Sequence, residues 1–355
     1  MFRDCRFLLI VGIILVAFAG CATGPSVPDP TGYYLKAKMD YDNKKYDQAI
    51  VSYKKGLEVK PDDPEGHLGV ALSYFEIENL VEAEKEFKEV LRLKPDYPEA
   101  HYNLGKVYVK QNKMADALAE FQQELVLNPN MSEVEYFVAT TAYQEKKYDI
   151  ASVAFQKYID ALTKKIDESK AELEKKKNDK AAVESWNKYI EDLSKERTNF
   201  HQYLAYSYIN LGKLDDAIVN LKKVLEANPN DIYAMLNIGQ IYFSKRENDN
   251  ALEYFNRALT VDPKNETALF KAASVYYDKS DYDKSLEHFN RTLEVNPNMV
   301  EAHRLLGWIY FKEKRDLPKA LEHLKAIKTI DPQYKEMDEL DKLIKFIETS
   351  QDNSK

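Results

Sequence analysis

Six imidazoles are the side chains of this chain best equipped for chemistry: His67, His101, His201, His288, His303 and His323. A zinc site or an acid–base pair would need them to converge with Cys, Asp or Glu at ligand spacing. Those spacings are missing. There is no H-E-x-x-H and no Cys–His set, and four of the six (His67, His101, His201 and His303) recur at one place of an internal period, which marks packing. The acidic pairs Asp62-Asp63 and Asp215-Asp216 fall at turns or helix starts, where carboxylates complement the helix dipole. No G-x-S-x-G, P-loop or G-x-G-x-x-G occurs, and with 11 Gly no loop is built to cradle a phosphate. Catalysis is not expected, and neither is a cofactor or a metal.

Recognition chemistry is better supplied, with 25 Tyr and 15 Phe placed periodically. Proline recurs at 61, 95 and 129 and again at 229, 263, 297 and 332, a step of 34 that ends in one of 35. A Tyr holds one fixed place in six units: Tyr74, Tyr108, Tyr208, Tyr242, Tyr276 and Tyr310. Nine residues on comes a small residue, Ala49, Ala83, Ala117, Ala151, Ala217, Ala251, Ser285 and, after a one-residue insertion, Ala320. Four further sits a bulky one: Tyr53, Phe87, Phe121, Phe155, Leu221, Phe255, Phe289 or Leu324. Small against bulky lets two helices approach, and each Pro stops the second helix because it lacks an N–H. Pro64 and Pro98 suit the first turn of the helix that follows.

Segments such as LGKVY (104–108), LGKLDDAI (211–218) and IGQIY (238–242) resemble the G-x-x-Y and A-x-x-x-F pattern of the tetratricopeptide repeat. The resemblance implies an all-α fold, a tetratricopeptide repeat superhelix (α-solenoid), with units 1–4 over 33–163 and units 5–8 over 196–334. It also implies a concave face, lined by first helices, that binds proteins. The groove places it assigns include Tyr41, Phe75, Tyr143, Phe243, Tyr277 and Phe311, one residue after the packing Tyr place. Earlier groove places add Tyr102, Lys106, Tyr136, Tyr206, Phe270, Arg304 and Trp308, with Asn237 nearby. Such a channel suits an extended peptide or a partner helix, since aromatic and Arg side chains dominate binding hot spots. Three alternatives stand beside this one: the rings pack between neighbouring first helices, they stack on a small ligand or glycan, or the array's open ends self-associate. Lys and Asn at groove places resemble the carboxylate-clamp type of the family, but the clamp's full set is absent.

Between Pro129 and Pro229 the spacing is 100 residues, 32 more than two units need. Position 163 is Thr rather than Pro, so nothing stops the helix there. A largely apolar seam then runs at 4,3 spacing through Phe155, Ile159, Leu162, Ile166, Ser169 and Leu173, and again through Val183, Trp186, Ile190, Leu193, Arg197 and Phe200. Two seams joined by a short turn predict an antiparallel helical hairpin, inserted over 164–195, that pairs Phe155 with Phe200. Its tip, Lys175-Lys176-Lys177, is either a solvated end or a second docking element.

Arg3 and Arg6 precede an apolar run from Phe7 to Ala19, too short for a membrane span, and Ala19-Gly20-Cys21 follows. This resembles a bacterial lipoprotein signal peptide over 1–20, with Phe18 where an aliphatic residue is preferred. The resemblance implies acylation of Cys21 and a lipidated tether over 21–32. It places the protein in the bacterial cell envelope, and Ala22 favours the outer membrane. The partners implied are other envelope proteins or peptides, as for pilus, secretin or peptidoglycan-enzyme adaptor lipoproteins, with the membrane reached through the lipid. A net charge of −8, with Lys and Glu alternating along the helices, argues against nucleic acid. Met337, Leu340, Leu343, Ile344 and Ile347 predict a cap helix over 335–349.

Overall fold

The computed structural model describes residues 29–352; the signal-peptide and Cys21 expectations lie outside them. The chain divides into two compact units at Gln111 and Asn112. The first holds α1 (Thr31–Asp42), α2 (Tyr46–Val59), α3 (Pro64–Glu76), α4 (Leu80–Leu93) and α5 (Ala100–Lys110). The second starts with α6 (Met114–Leu127), α7 (Ser132–Gln144), α8 (Tyr148–Lys175) and α9 (Lys180–Asn210). It continues with α10 (Leu214–Ala227), α11 (Ile232–Ser244), α12 (Asn248–Val261), α13 (Glu266–Asp278) and α14 (Tyr282–Val295). It closes with α15 (Val300–Ile309), a π-turn (Tyr310–Lys314), α16 (Leu317–Ile330) and α17 (Met337–Asp352). No strand occurs among the described residues.

Seven second helices end two residues before a proline. The intervening residue (Lys60, Lys94, Asn128, Asn228, Asp262, Asn296 or Asp331) is extended, with φ between −129° and −144°. A following proline imposes that geometry by excluding the α region from its neighbour. All eight small residues at the repeat's helix-crossing place, Ala49 through Ala320, are fully buried at 0 % exposure. Their bulky partners Phe87, Phe121, Phe255 and Phe289 are equally buried. The fit leaves no slack: a Cβ at Gly239 would come within 2.6 Å of the Phe255 ring.

First helices end on a left-handed residue: Lys44, Glu78, Asn112, Lys146, Gly212, Arg246, Ser280 and Arg315. In six units the N–H one residue beyond it closes on the carbonyl five positions back, as in Lys213 N to Tyr208 O at 2.9 Å. The insertion in the eighth unit is absorbed at this point. There the π-turn widens the ring, and Asp316 N reaches Tyr310 O across six positions at 2.9 Å.

Two expectations are corrected at element starts. Pro98 does not open a helix: Glu99 takes a left-handed φ of 62° and α5 begins at Ala100. Pro64, in contrast, lies in the first turn of α3, where the Asp63 carboxylate accepts from Glu65 N at 3.3 Å. Helix α1 starts at Thr31, within the stretch read as tether, and α17 runs on to Asp352.

The hairpin does not start or stop at a joint. Helix α8 runs unbroken through position 163, and α9 carries straight into the first helix of the next repeat. Phe155 meets Phe200 with ring centroids 5.7 Å apart, Tyr158 donates to Glu196 at 2.7 Å, and Lys165 lies 5.6 Å over Tyr189. The seam is buried through Ile159, Leu162, Ile166 and Ser169 on α8 and Leu193 on α9, and opens toward the tip.

Candidate functional site

The first-helix face can be built residue by residue. In the first unit Tyr41 packs its ring against Tyr46 at 5.3 Å, and burial with the Glu76 carboxylate drives its phenol upward from the ordinary range. Lys106 Nζ lies 4.9 Å from the Tyr102 ring centroid and 5.4 Å from that of Phe75, and Lys110 adds a second cation 5.0 Å from Phe75. Tyr102 is buried, at 7 % exposure, so this triad is held chiefly within the chain.

In the second unit the residues separate into an interior group and an open one. Tyr136 joins the interior, edge-on to Phe200 at 5.7 Å and beside Tyr158 at 5.6 Å. Phe243 packs against the Ala251–Phe255 cluster and Phe270 meets Phe289 at 5.6 Å. Tyr143 bridges outward: its ring meets Tyr203 at 5.4 Å, and Tyr203 stacks on Phe155 at 5.8 Å and 15°. Tyr206 stacks on Tyr233 at 5.8 Å and 12°, and Asn237 Nδ2 donates to the Tyr233 carbonyl at 2.8 Å. Burial and the hydrogen bond with Tyr206 push the Tyr233 phenol upward, so its hydroxyl keeps its proton. Tyr203 and Tyr233 remain 46 % and 43 % exposed. On the same helix as Tyr233, the amide oxygen of Gln240 is buried without a hydrogen-bond partner among the described residues.

A second open patch lies at the end of the array. Trp308 meets Phe311 at 6.3 Å, Phe311 meets Phe346 of α17 at 6.2 Å, and Lys312 lies 5.2 Å over the Trp308 ring. Burial pushes the Tyr277 phenol upward, partly offset by the Trp308 indole N–H and Arg304. Arg304 is itself paired with Glu301, Nε to Oε2 at 2.9 Å.

Three open residues escaped sequence reasoning. Tyr203 occupies the same repeat place as Asn237, so its signal was available. Tyr233 lies a turn N-terminal to Asn237, and Phe346 belongs to the cap helix; nothing in the pattern separates them from packing aromatics.

Three of the histidines tie turns to helices. His67, His101 and His303 each place Nε2 on the carbonyl of the proline six residues earlier, at 2.9, 3.2 and 3.0 Å. This bond ties the inter-repeat turn to the next helix. His303 and His323 face each other Nδ1 to Nδ1 at 3.0 Å, and burial lowers His323 to about 4. No cluster of three potential metal ligands exists among the described residues.

Family models of the tetratricopeptide repeat match residues 37–78, 71–112, 98–131, 205–245, 232–265 and 270–335. The chain is a tetratricopeptide repeat protein. The matched ranges leave out 132–204, where α8 and α9 depart from the repeat. Several solved structures are similar to parts of it. YrrB, described as a TPR protein with an unusual peptide-binding site, is 19 % identical at TM-score 0.43, covering 62 % of this chain and 97 % of its own. MamA is 21 % identical at TM-score 0.42, covering 56 % and 90 %. PilF of Pseudomonas aeruginosa is 16 % identical at TM-score 0.37, covering 68 % and 96 %. No curated protein matches the chain.

Proposed function

We propose that this tetratricopeptide repeat protein is a non-catalytic scaffold or adaptor of the bacterial cell envelope. It binds other envelope proteins or peptides along its first-helix face and is held at the membrane by acyl chains on Cys21. The observation that carries the reading is the open pair Tyr203 and Tyr233, each backed by a buried or stacked ring. Rigid, half-open aromatics give large contact area at small entropic cost, which is how protein-binding surfaces obtain affinity. The anchor and the envelope location rest on the Arg-flanked apolar run that ends at Cys21.

A photoreactive residue at position 233 in native membranes tests the binding reading. A defined envelope protein should be captured, and Tyr203→Ala should abolish its capture. A glycan captured in its place, or no Tyr203-dependent product, would overturn it. Metabolic labelling with a fatty-acid analogue, lost in Cys21→Ser, tests the anchor.

A further inference from the structure

The hairpin root holds a polar cleft separate from the first-helix face. It encloses about 450 Å³ between α8, α9 and α10, and its wall includes Asp160, Thr163, Arg197, His201, Lys223 and Glu226. The cleft follows from the missing proline. In the regular repeats a proline carbonyl meets Nε2 of the histidine six residues on. For His201 the residue six back is Lys195, inside α9, and the proline's place holds Thr163, inside α8.

The tautomer of His201 follows from its neighbours. Asn220 Nδ2 donates to the Asp216 carbonyl at 2.9 Å, so its Oδ1 faces His201 Nδ1 at 2.8 Å and accepts the ring proton. Nε2 of the neutral ring is therefore an acceptor, and it has no partner among the described residues. Arg197 is half-buried, with one hydrogen bond, to Thr163 Oγ1 at 3.4 Å, and no carboxylate pairs with it among the described residues. The carboxylates of the cleft are paired with other side chains of its wall. Asp160 accepts from Gln156 at 2.8 Å, and Glu226 pairs with Lys223 at 3.0 Å. A partly desolvated guanidinium favours a counter-ion, and its planar fork matches a carboxylate in two parallel bonds.

We propose that this cleft is a second recognition site, taking a carboxylate that lies next to an amide N–H, as at a peptide C-terminus. Arg197 clamps the carboxylate, and His201 Nε2 accepts from the adjacent N–H. The site does not depend on the first-helix face, and its failure would leave the position-233 experiment untouched.

The probe is N-acetylglycine, titrated into the full-length protein while the histidine ring signals are followed by NMR. The His201 signal, identified by its loss in His201→Gln, should shift and saturate. Arg197→Gln should weaken binding about tenfold or more, the loss of a charge-assisted hydrogen bond. Thr163→Asp, which offers Arg197 a carboxylate from the chain itself, should abolish binding and raise Tm. Saturation unchanged in Arg197→Gln, or matched by N-acetylglycine methyl ester, would overturn the proposal. Inorganic phosphate binding as tightly would overturn the carboxylate assignment. If Arg197→Gln does not fold, Thr163→Asp decides, because an unchanged Tm would mean that the guanidinium wants no partner.

Discussion

Helix α12 stops at Val261, where Asp262 turns extended ahead of Pro263, whereas α8, built from the same repeat, runs on. The place of the proline holds Thr163, whose hydroxyl donates back to the Ile159 carbonyl at 2.8 Å while the backbone continues to Lys175. From position 163 the arm extends about 20 Å at 1.5 Å per residue. The contrast shows that helix length in this array is set by where the chain is stopped. Intrinsic propensity differs little between the two segments, but the packing differs. Phe255 is fully enclosed between helices, while the hairpin beyond Leu173 has one neighbour and mostly exposed side chains. At its tip Lys175 and Lys177 pair with Glu172 and Glu174 of their own segment, both at 2.6 Å, so the tip presents little free positive charge.

The largest expected effect tests the enclosed side of this contrast. Phe255→Ala should cost about 3–5 kcal/mol in urea unfolding, the usual result of emptying a fully packed aromatic site. A loss below 1 kcal/mol would mean that the repeats are loosely packed.

Thr163→Pro tests the stop signal itself. In a continuous helix it should cost about 3 kcal/mol and reduce far-UV helicity. Unchanged helicity would show that α8 tolerates a break there, and the account of the insertion would fail.

Acid should act on the regular repeats through His323. Burial and the neighbouring His303 lower its value from 6.5 to about 4, so between these limits the unfolded chain binds a proton that the folded one refuses. Its contribution is fully present above pH 6.5 and is lost as pH falls toward 4. Tm should decline over that window, and less steeply in His323→Phe. Parallel curves for the two proteins would rule His323 out as the cause.

The smallest effect belongs to the tip. Lys176 lies 5.8 Å over the Trp186 ring, and Lys176→Ala should cost no more than about 0.5–1 kcal/mol, felt as faster amide exchange near the turn. A global loss of stability would mean that the hairpin folds as one unit with the repeats.

Legibility in the sequence followed the range of the interaction. Seven helix ends were readable because a proline acts on its immediate neighbour, and Pro98 misled because the left-handed Glu99 separates it from α5. The small and bulky places were readable because each contact recurs at the repeat period. The left-handed turns were hidden, since Gly212 is the single glycine among the eight turn residues. The candidate site was the least legible part. Tyr136 and Tyr203 are the same kind of ring on neighbouring first helices, yet Tyr136 packs among Tyr158 and Phe200 while Tyr203 stays 46 % exposed.

By itself the sequence determined the all-α repeat, its period and the place where it is interrupted, because those depend on backbone stops and on contacts that recur with the chain. The tertiary structure alone decided which aromatics stay open, that Nε2 of three histidines binds a proline carbonyl while that of His201 does not, and that Arg197 meets no carboxylate among the described residues. These outcomes depend on side chains from different helices meeting in space, and exposure and pairing at such meetings belong to the assembled packing rather than to any one segment.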